Sequence, residues 1–532
     1  MISTAFSFGT TQSASFEVYT LNMTSARSLD PMAGYETLHL AAALQGLVNR
    51  HAPRLFISFR AADEEWWNLE RQNGGWLADA TVHSLPDLET ALNTFISEEG
   101  SVVKGIVAWE ADVYPTSLLA GTAAGVKNLL PVIGNSSWMH KLAGMGLKVG
   151  LDLRGMFGPG GSHRTTSSIK GDAYKWAMDE WLGKGHWDDD LGAVGNADDG
   201  DDFADDDADT TIANGLFQGW FIDAYAAANP IDGFYDKVTL LNHDFVVARS
   251  GFFWDLDPFP DNIPLDDPKQ SLGTDYTRLT EILAAAYAQT NGEEWTHVSG
   301  FDPWAWNKYN ETGRGGVTAE WQSVKTASAF NAFFDADACC IGGMASASFW
   351  AWRPLPRHLP GAARPSPPSY FVDKGLIQWN GTAYEAVPGK YAYFFYAGDF
   401  DSAAWLDSQI MQRWNDPARG SVPIGWPLDP ILSRRFPPAF FHLYPAASSN
   451  DSFTTGDSGA AYMNPPMLFK EARVNISNFP DATQSWQALS SPLYSRLNLG
   501  FSGFLINGAS GSITPQAEAV YTVFSPDGIV EE

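Results

Sequence analysis

The chain has 532 residues, 45% of them hydrophobic, and a net charge of −29 from 33 basic and 62 acidic residues. A field of that sign repels nucleic acid and anionic membrane, so neither is expected as a partner. The longest apolar stretch, Ser117–Ile133, is broken by Lys127, so no membrane span is expected either.

Residues 1–15 are rich in Ser and Thr and read as a disordered lead-in. Phe16–Leu21 follows as a strand, Tyr35–Asn49 carries apolar residues at helical spacing, and Arg54–Phe59 reads as a second strand. The alternation continues: helix Leu85–Ser97, strand Val102–Trp109, helix Ser117–Leu130, strand Leu147–Leu153. Strands alternating with helices predict small α/β units with parallel sheets over residues 16–160.

A Gly-rich boundary at 154–167 precedes a helix at Ser168–Leu182. Residues 188–209 then hold eleven Asp and no basic residue. The spacing before Gly200 does not supply the alternate Asp or Asn ligands of an EF-hand, so this tract reads as a solvated insertion. Strands are predicted at Val238–Leu241, Val246–Arg249 and Thr296–Ser299, with helices at Leu279–Asn291 and Ala319–Phe334. These complete a further α/β subdomain over 161–353. The two cysteines, Cys339 and Cys340, are neighbours and cannot build a disulfide framework, and no paired CxxC offers a zinc site.

Six Pro in the fifteen residues 354–368 open a linker that runs to 385. Beyond it, Tyr391–Ala397 (YAYFFYA) reads as a strand ending in Gly398-Asp399-Phe400-Asp401. Ser402–Trp414 reads as a helix, Val422–Trp426 as a strand ending near Asp429, and Phe440–Tyr444 and Phe501–Asn507 as further strands. Strand, acidic tip, helix, strand is how a (β/α) barrel presents carboxylates at the C-terminal ends of its strands.

Gly459–Pro465 (GAAYMNP) resembles the signature of the GxGYxYP family, with Ala461 at its second Gly and Asn464 at its second Tyr. Further blocks are similar to the family: Gln45–Ile57, Gly300–Tyr309, Thr318–Trp321, Phe330–Ala338 and the segment from Tyr391 to Leu406. The resemblance implies several small N-terminal α/β subdomains feeding a (β/α)-barrel-like C-terminal domain over 386–532. It also implies that the barrel is truncated here, because members run past the segment matching Ser525–Glu532. The activity it implies is glycoside hydrolysis on a carbohydrate outside the cell, with no cofactor and no metal. Six N-x-S/T sequons, at Asn22, Asn135, Asn310, Asn380, Asn450 and Asn475, agree with a secretory route, whereas the N-terminus shows no leader pattern.

Glycosidic cleavage needs two carboxylates, one protonated and one ionised. Asp399 and Asp401 lie two apart at a strand tip and so point the same way in extended backbone. Asp457 sits among small residues that let a ligand approach. These three are the candidate catalytic acids, the alternatives being helix capping for Asp401 and a turn for Asp457. Asp429 stands at another strand end, but the following Pro430 favours a turn role. Trp405, Trp426, Tyr462, Asn464, Arg419 and Glu320 are the candidate substrate-binding residues, with core packing, an Arg419–Asp416 pair and a helix-end charge as their plain alternatives. Two competing functions remain: a non-catalytic carbohydrate-binding protein, and a metal-dependent polysaccharide-modifying enzyme in which acids converge on His442.

Overall fold

The computed structural model describes residues 16–29, 31–182, 220–223, 243–264, 266–301, 317–335, 344–359, 367–391, 393, 395–398, 400–456, 458–505 and 513–531. Several parts of the sequence reading lie outside them: residues 1–15, the acidic tract, Val238–Leu241, residues 302–309, Asn310, residues 336–338, the Cys339–Cys340 pair, Asp399, Asp457 and residues 506–507.

The first sheet is parallel, with β1 (Glu17–Asn22) between β2 (Leu55–Ser58) and β3 (Thr81–Leu85). Helix Pro31–Val48 connects β1 to β2 and is buried along nearly its whole length. A helix apolar on every side belongs between layers, and here it packs against the helix His243–Ala248 and β5 (Leu129–Ile133). Gly46 permits that approach, since a Cβ there would lie 2.4 Å from the Asp244 carbonyl oxygen. Arg50 follows the helix and donates to the carbonyls of Gly125 and Val247 at 2.8 and 2.9 Å. A buried guanidinium thereby satisfies carbonyls at two other helix C-termini.

The second sheet is also parallel, with β4 (Gly105–Trp109) between β5 and β6 (Val149–Asp152). The predicted helix Ser117–Leu130 stops at Lys127 because Asn128 takes a left-handed conformation (φ 56°), which frees Leu129 to start β5. Only Gly and Asn enter that region readily.

The third sheet has four parallel strands in the order β10, β9, β7, β8: Ala332–Asp335, Thr296–Phe301, Trp220–Asp223 and Phe252–Trp254. Two expectations fail beside it. Val246–Arg249 belongs to the helix His243–Ala248 rather than to a strand. The helix expected over Ala319–Phe334 ends at Ser328, and Asn331 (φ 55°) turns the chain into β10. Short apolar runs fit a buried helix and a buried strand equally well.

A small antiparallel hairpin, β11 (Ile377–Trp379) and β12 (Tyr384–Ala386), follows. Beyond it, β13 (Ile424–Pro427) pairs in parallel with β14 (Asp451–Thr454), and β15 (Phe501–Leu505) with β16 (Gly528–Glu531). Single parallel bridges join Tyr396 to Gly425 and Thr455 to Ser502. The strand positions thus neighbour one another in sequence order, with helices between them. No closed barrel is present among the described residues. Tyr391–Ala397 contributes only the bridge at Tyr396, and its described aromatic rings are exposed. Phe440–Tyr444 is part of the helix Pro437–Leu443, started by Pro437 at its first position, where proline's fixed φ and missing N–H suit a helix.

The two ends of the chain share one core. Trp66 Nε1 donates to the Asp407 carbonyl at 2.7 Å, and Arg60 forms buried ion pairs with Asp63 and Asp407. Among the described residues no helix is long and apolar enough to cross a membrane.

Candidate functional site

Leu428 extends the β13 ladder by donating to the Thr454 carbonyl at 2.9 Å. Asp429 is the next residue, at the C-terminal end of the strand. Pro430 has no N–H to continue the ladder, and the chain turns, with Leu432 N–H donating to the Asp429 carbonyl at 3.0 Å. The turn predicted from Pro430 is therefore present. The side chain is another matter. Asp429 is fully buried, and neither carboxyl oxygen has a hydrogen-bond partner among the described residues. Burial first, then the charges of Asp401 and Asp335, push this carboxyl well above the usual carboxylate range. A buried carboxyl without donors keeps its proton.

Asp401 is half-buried and accepts from the Ser402 N–H at 3.1 Å. The helix Ala403–Ser408 has Ser402, not Asp401, at its cap position. Gly456 holds Asp401 in place from the other side: a Cβ at 456 would lie 2.6 Å from the Asp401 Cβ. The Gly456 backbone after β14 therefore lies against Asp401, which itself neighbours Asp429.

Asp335 ends β10 and is fully buried. Burial alone would raise its carboxyl, but Arg435 and His297 hold it below the usual range. Arg435 Nη1 lies 2.9 Å and His297 Nε2 2.7 Å from its oxygens. Arg435 is itself fully buried, on the turn of helix that begins just after Asp429. Asp244, raised to about 6 chiefly by burial, accepts from the Ser348 N–H at 2.7 Å and also feels Arg435. The arrangement sets an Asp335 carboxyl held below the usual range beside an Asp429 carboxyl held well above it, and leaves Asp401 nearest to solvent.

The remaining candidates separate. Trp426 is buried, donates to Asp451 Oδ1 at 2.9 Å and packs against Phe400 and Trp414, so it serves the core rather than an open cleft. Arg419 pairs with Asp451, not with the Asp416 side chain, and lies over the Trp414 ring at 4.1 Å. Trp405 is half-buried against the same core. Tyr462 is buried and its hydroxyl donates to Glu320, so these two meet. Asn464 is buried, and its N–H donates to Ser328 Oγ at 2.9 Å. His442 lies 3.1 Å from Glu70 rather than among the strand-end acids.

Residues 390–527 match the model described as "GxGYxYP putative glycoside hydrolase C-terminal domain", and residues 103–185 match "GxGYxYP_N second domain". The chain carries two GxGYxYP-family domains. A solved structure with a similar fold is that of "a putative hydrolase from Bacteroides thetaiotaomicron VPI-5482", at 13% identity and a TM-score of 0.58, covering 97% of this chain and 75% of that one. At that identity the likeness concerns the fold. No curated protein matches the chain.

The GxGYxYP signature acquires a physical role in this geometry. Gly459 sits at φ 147°, a conformation side chains avoid, with the Trp486 indole nitrogen 3.3 Å from where a Cβ would stand. The Ala460 carbonyl accepts from Ile431, two residues beyond Asp429, at 2.9 Å. Tyr462 exchanges two backbone hydrogen bonds of 3.0 Å with Phe334, the residue before Asp335. The motif is thus a strap that ties the end of β13 to the end of β10 and brings Asp429 and Asp335 into range of each other. Asp335 and Arg435 were not singled out from the sequence, and Asp429 was read there as a strand-end acid with a turn role. A usable signal existed: apolar strands ending in Asp recur at FFWD (252–255), AFFD (332–335) and GWPLD (425–429).

Proposed function

We propose that the protein is a glycoside hydrolase that cleaves a polysaccharide or oligosaccharide at the C-terminal ends of its C-terminal strands, with Asp401 and Asp429 as the carboxylate pair. The observation that carries this reading is the buried Asp429 carboxyl without a hydrogen-bond partner, beside a more exposed Asp401. Hydrolysis of a glycosidic bond uses one carboxyl that holds a proton and one that is ionised, and unequal burial is how a fold separates the two. In this reading Asp429 keeps the proton and Asp401 carries the charge. Asp399 and Asp457 flank the same strand ends in sequence and remain candidate partners. The sequential parallel strands from Tyr396 to β16 support a (β/α)-barrel-like plan for this part of the chain. The exposed sequon asparagines Asn22, Asn380 and Asn475 support an extracellular location.

The test is reducing-sugar release from a panel of plant and fungal polysaccharides by the wild-type chain, Asp401→Asn and Asp429→Asn. Release by wild type that either substitution abolishes, with circular dichroism unchanged, is the expected result. Release that survives both substitutions refutes the assignment of the pair.

A further inference from the structure

The strands beyond residue 395 have two unlike faces. Trp426 and Phe453 are register partners on β13 and β14 and face helices: the Trp414 ring lies 5.1 and 5.9 Å from theirs, and Tyr444 lies 4.2 Å from Phe453. Thr455 and Ser502, joined by a parallel bridge, hydrogen-bond with the Tyr494 hydroxyl of the helix Thr483–Arg496 at 2.8 and 2.6 Å. Successive positions of a strand alternate between faces. The face away from the helices therefore carries Gly425, Ser452, Thr454, Gly456 and Gly503, all of them small.

That face is concave. The segment at Tyr396, β13, β14 and β15 neighbour one another in that order. Tyr396 bridges to Gly425 on the second of these, yet its ring lies 3.2 Å from where a Cβ of Gly503 would stand on the fourth. In a flat sheet the first and fourth strands would be about 14 Å apart. The strands curl, and their glycines leave a hollow beside the Tyr396 ring. Tyr396 is 42% exposed and Gly425 and Ser452 are half-buried, so the hollow reaches solvent.

Two buried polar groups stand on this face without partners. Thr454 is 5% exposed, and its hydroxyl has no hydrogen-bond partner among the described residues. Its Cγ2 lies 3.8 Å from where a Cβ of Gly425 would stand, which places the side chain on the glycine face. Asp429 follows by two residues Pro427, the register partner of Thr454, and so shares that face. Its carboxyl is unpartnered as well. A hydroxyl and a protonated carboxyl each donate and accept, and leaving them unmet in the interior costs stability. Their joint position beside glycines points to a ligand that meets both.

The chemistry of the face selects that ligand. Tyr396 supplies a ring, Thr454 and Asp429 supply hydroxyl and carboxyl groups, and no Lys or Arg occupies any of these positions. An anion would meet Asp401 and Asp429 with no cation from this face. An uncharged polyol ring has an apolar side for the tyrosine and hydroxyls for Thr454 and Asp429.

We propose that this hollow is the subsite for one neutral sugar unit, with Tyr396 stacking on its apolar side, Thr454 Oγ1 hydrogen-bonding its hydroxyls, and the glycines making room for the ring. The choice of a sugar rests on the hydrolase reading; its neutrality and its contacts rest on the face itself.

The experiment is affinity electrophoresis of the full chain in gels containing β-glucan, xylan, mannan, galactan or polygalacturonate, with melting temperature and sugar release measured on the same proteins. Wild type is compared with Thr454→Val, Gly425→Ala and Tyr396→Ala. Thr454→Val keeps the shape and removes a hydroxyl that is unpartnered in the free protein, so its melting temperature should equal or exceed that of wild type. A Cβ at 425 would meet nothing closer than 3.7 Å, so Gly425→Ala should fold. At least one neutral polymer should retard wild type, each variant should weaken that binding about tenfold, and polygalacturonate should retard none of them. Retardation by no neutral polymer, retardation by polygalacturonate, retardation undiminished in both Thr454→Val and Gly425→Ala, or a lowered melting temperature of Thr454→Val overturns the subsite. Variant-sensitive retardation without sugar release leaves the subsite standing and refutes the hydrolase reading. Sugar release that all three variants retain does the reverse.

Discussion

Replacing Asp429 by Asn should change the pH dependence of stability in a direction opposite to that of a salt-bridged aspartate such as Asp335. The folded protein holds this carboxyl above its ordinary value of 3.8, so the native state binds a proton that the unfolded chain has released. Stability from this group is complete below the unfolded value and is lost as pH rises toward the folded one. The slope is about 1.4 kcal/mol per pH unit for one proton. Asn has the same shape and does not titrate. An amide in a site without partners adds its own cost, but that cost is independent of pH. The neighbouring Asp401 and Asp335 see a neutral group in either protein, so their contributions cancel in the difference. Between about pH 4.5 and about pH 6 the variant should therefore gain about 2 kcal/mol relative to wild type. Urea unfolding of both proteins at the two pH values, with equal m-values, measures the gap. A gap that stays constant shows that Asp429 is ionised in the native state, and the proposed division of roles between it and Asp401 falls with it.

Other perturbations test the surrounding structure. Asp335→Asn leaves the fully buried Arg435 without its carboxylate and should cost about 3–5 kcal/mol; a melting temperature equal to wild type refutes the charge pairing. Gly456→Ala places a methyl group 2.6 Å from the Asp401 Cβ. It should cost about 1–3 kcal/mol by overpacking and lower sugar release by more than the unfolded fraction explains; full activity refutes the cradle. His39 is fully buried with both ring nitrogens unpartnered, and burial, helped by His243, depresses its pKa. Folded His39 stays neutral while the unfolded chain takes up a proton below about pH 6.5, so wild type should lose about 1.4 kcal/mol per pH unit below that point relative to His39→Phe. Parallel acid-unfolding curves for the two proteins refute it.

Two aromatic runs show how far the sequence reading reaches. YAYFFYA and FFHLY are both aromatic-rich runs, and both read as strands. The second is helical because Pro437 and Pro438 start a helix just before it, a local signal present in the sequence. The first is held to its neighbour by one bridge and leaves its rings in solvent, which no local signal records. The N-terminal strands were more legible, since parallel strands buried on both faces appear as continuous apolar runs between helices of regular period. At the site, Pro430 correctly announced a turn at Asp429. It could not announce that the side chain of the same residue would be buried without a donor, because that depends on β10 and on the 455–462 loop, and so on contacts far apart in the chain. The strand-end rule names positions of this kind, and unequal burial then raises the Asp429 carboxyl, which composition does not record.

The signature motif explains why those distant contacts occur together. A buried carboxyl without a hydrogen-bond partner among the described residues opposes folding, the negative charge of the neighbouring Asp335 adds to that cost, and something must hold the two at close range. Backbone hydrogen bonds from Ala460 and Tyr462 do this without using a side chain that titrates. They need only a tight, small-residue path, which Gly459, Ala460 and Ala461 provide, and an anchor, which Tyr462 finds on Glu320. This accounts for the change from Gly to Ala at 461: the position is fully buried, with no positive φ, and accepts a methyl group. It also separates the motif from the chemistry. Tyr462 and Asn464 are buried, the first with its hydroxyl on Glu320 and the second with its N–H on Ser328, so a conservative Tyr462→Phe change should act through the spacing of Asp335 and Asp429. Loss of the hydroxyl removes the Tyr462–Glu320 hydrogen bond and loosens the strap, which relaxes the burial that, ahead of the charges of Asp401 and Asp335, raises the Asp429 carboxyl. The variant should then shift the Asp429-dependent slope of stability toward lower pH while leaving polysaccharide retardation intact. Reduced retardation with an unchanged slope would instead make Tyr462 a ligand contact, and the strap would lose its assigned role.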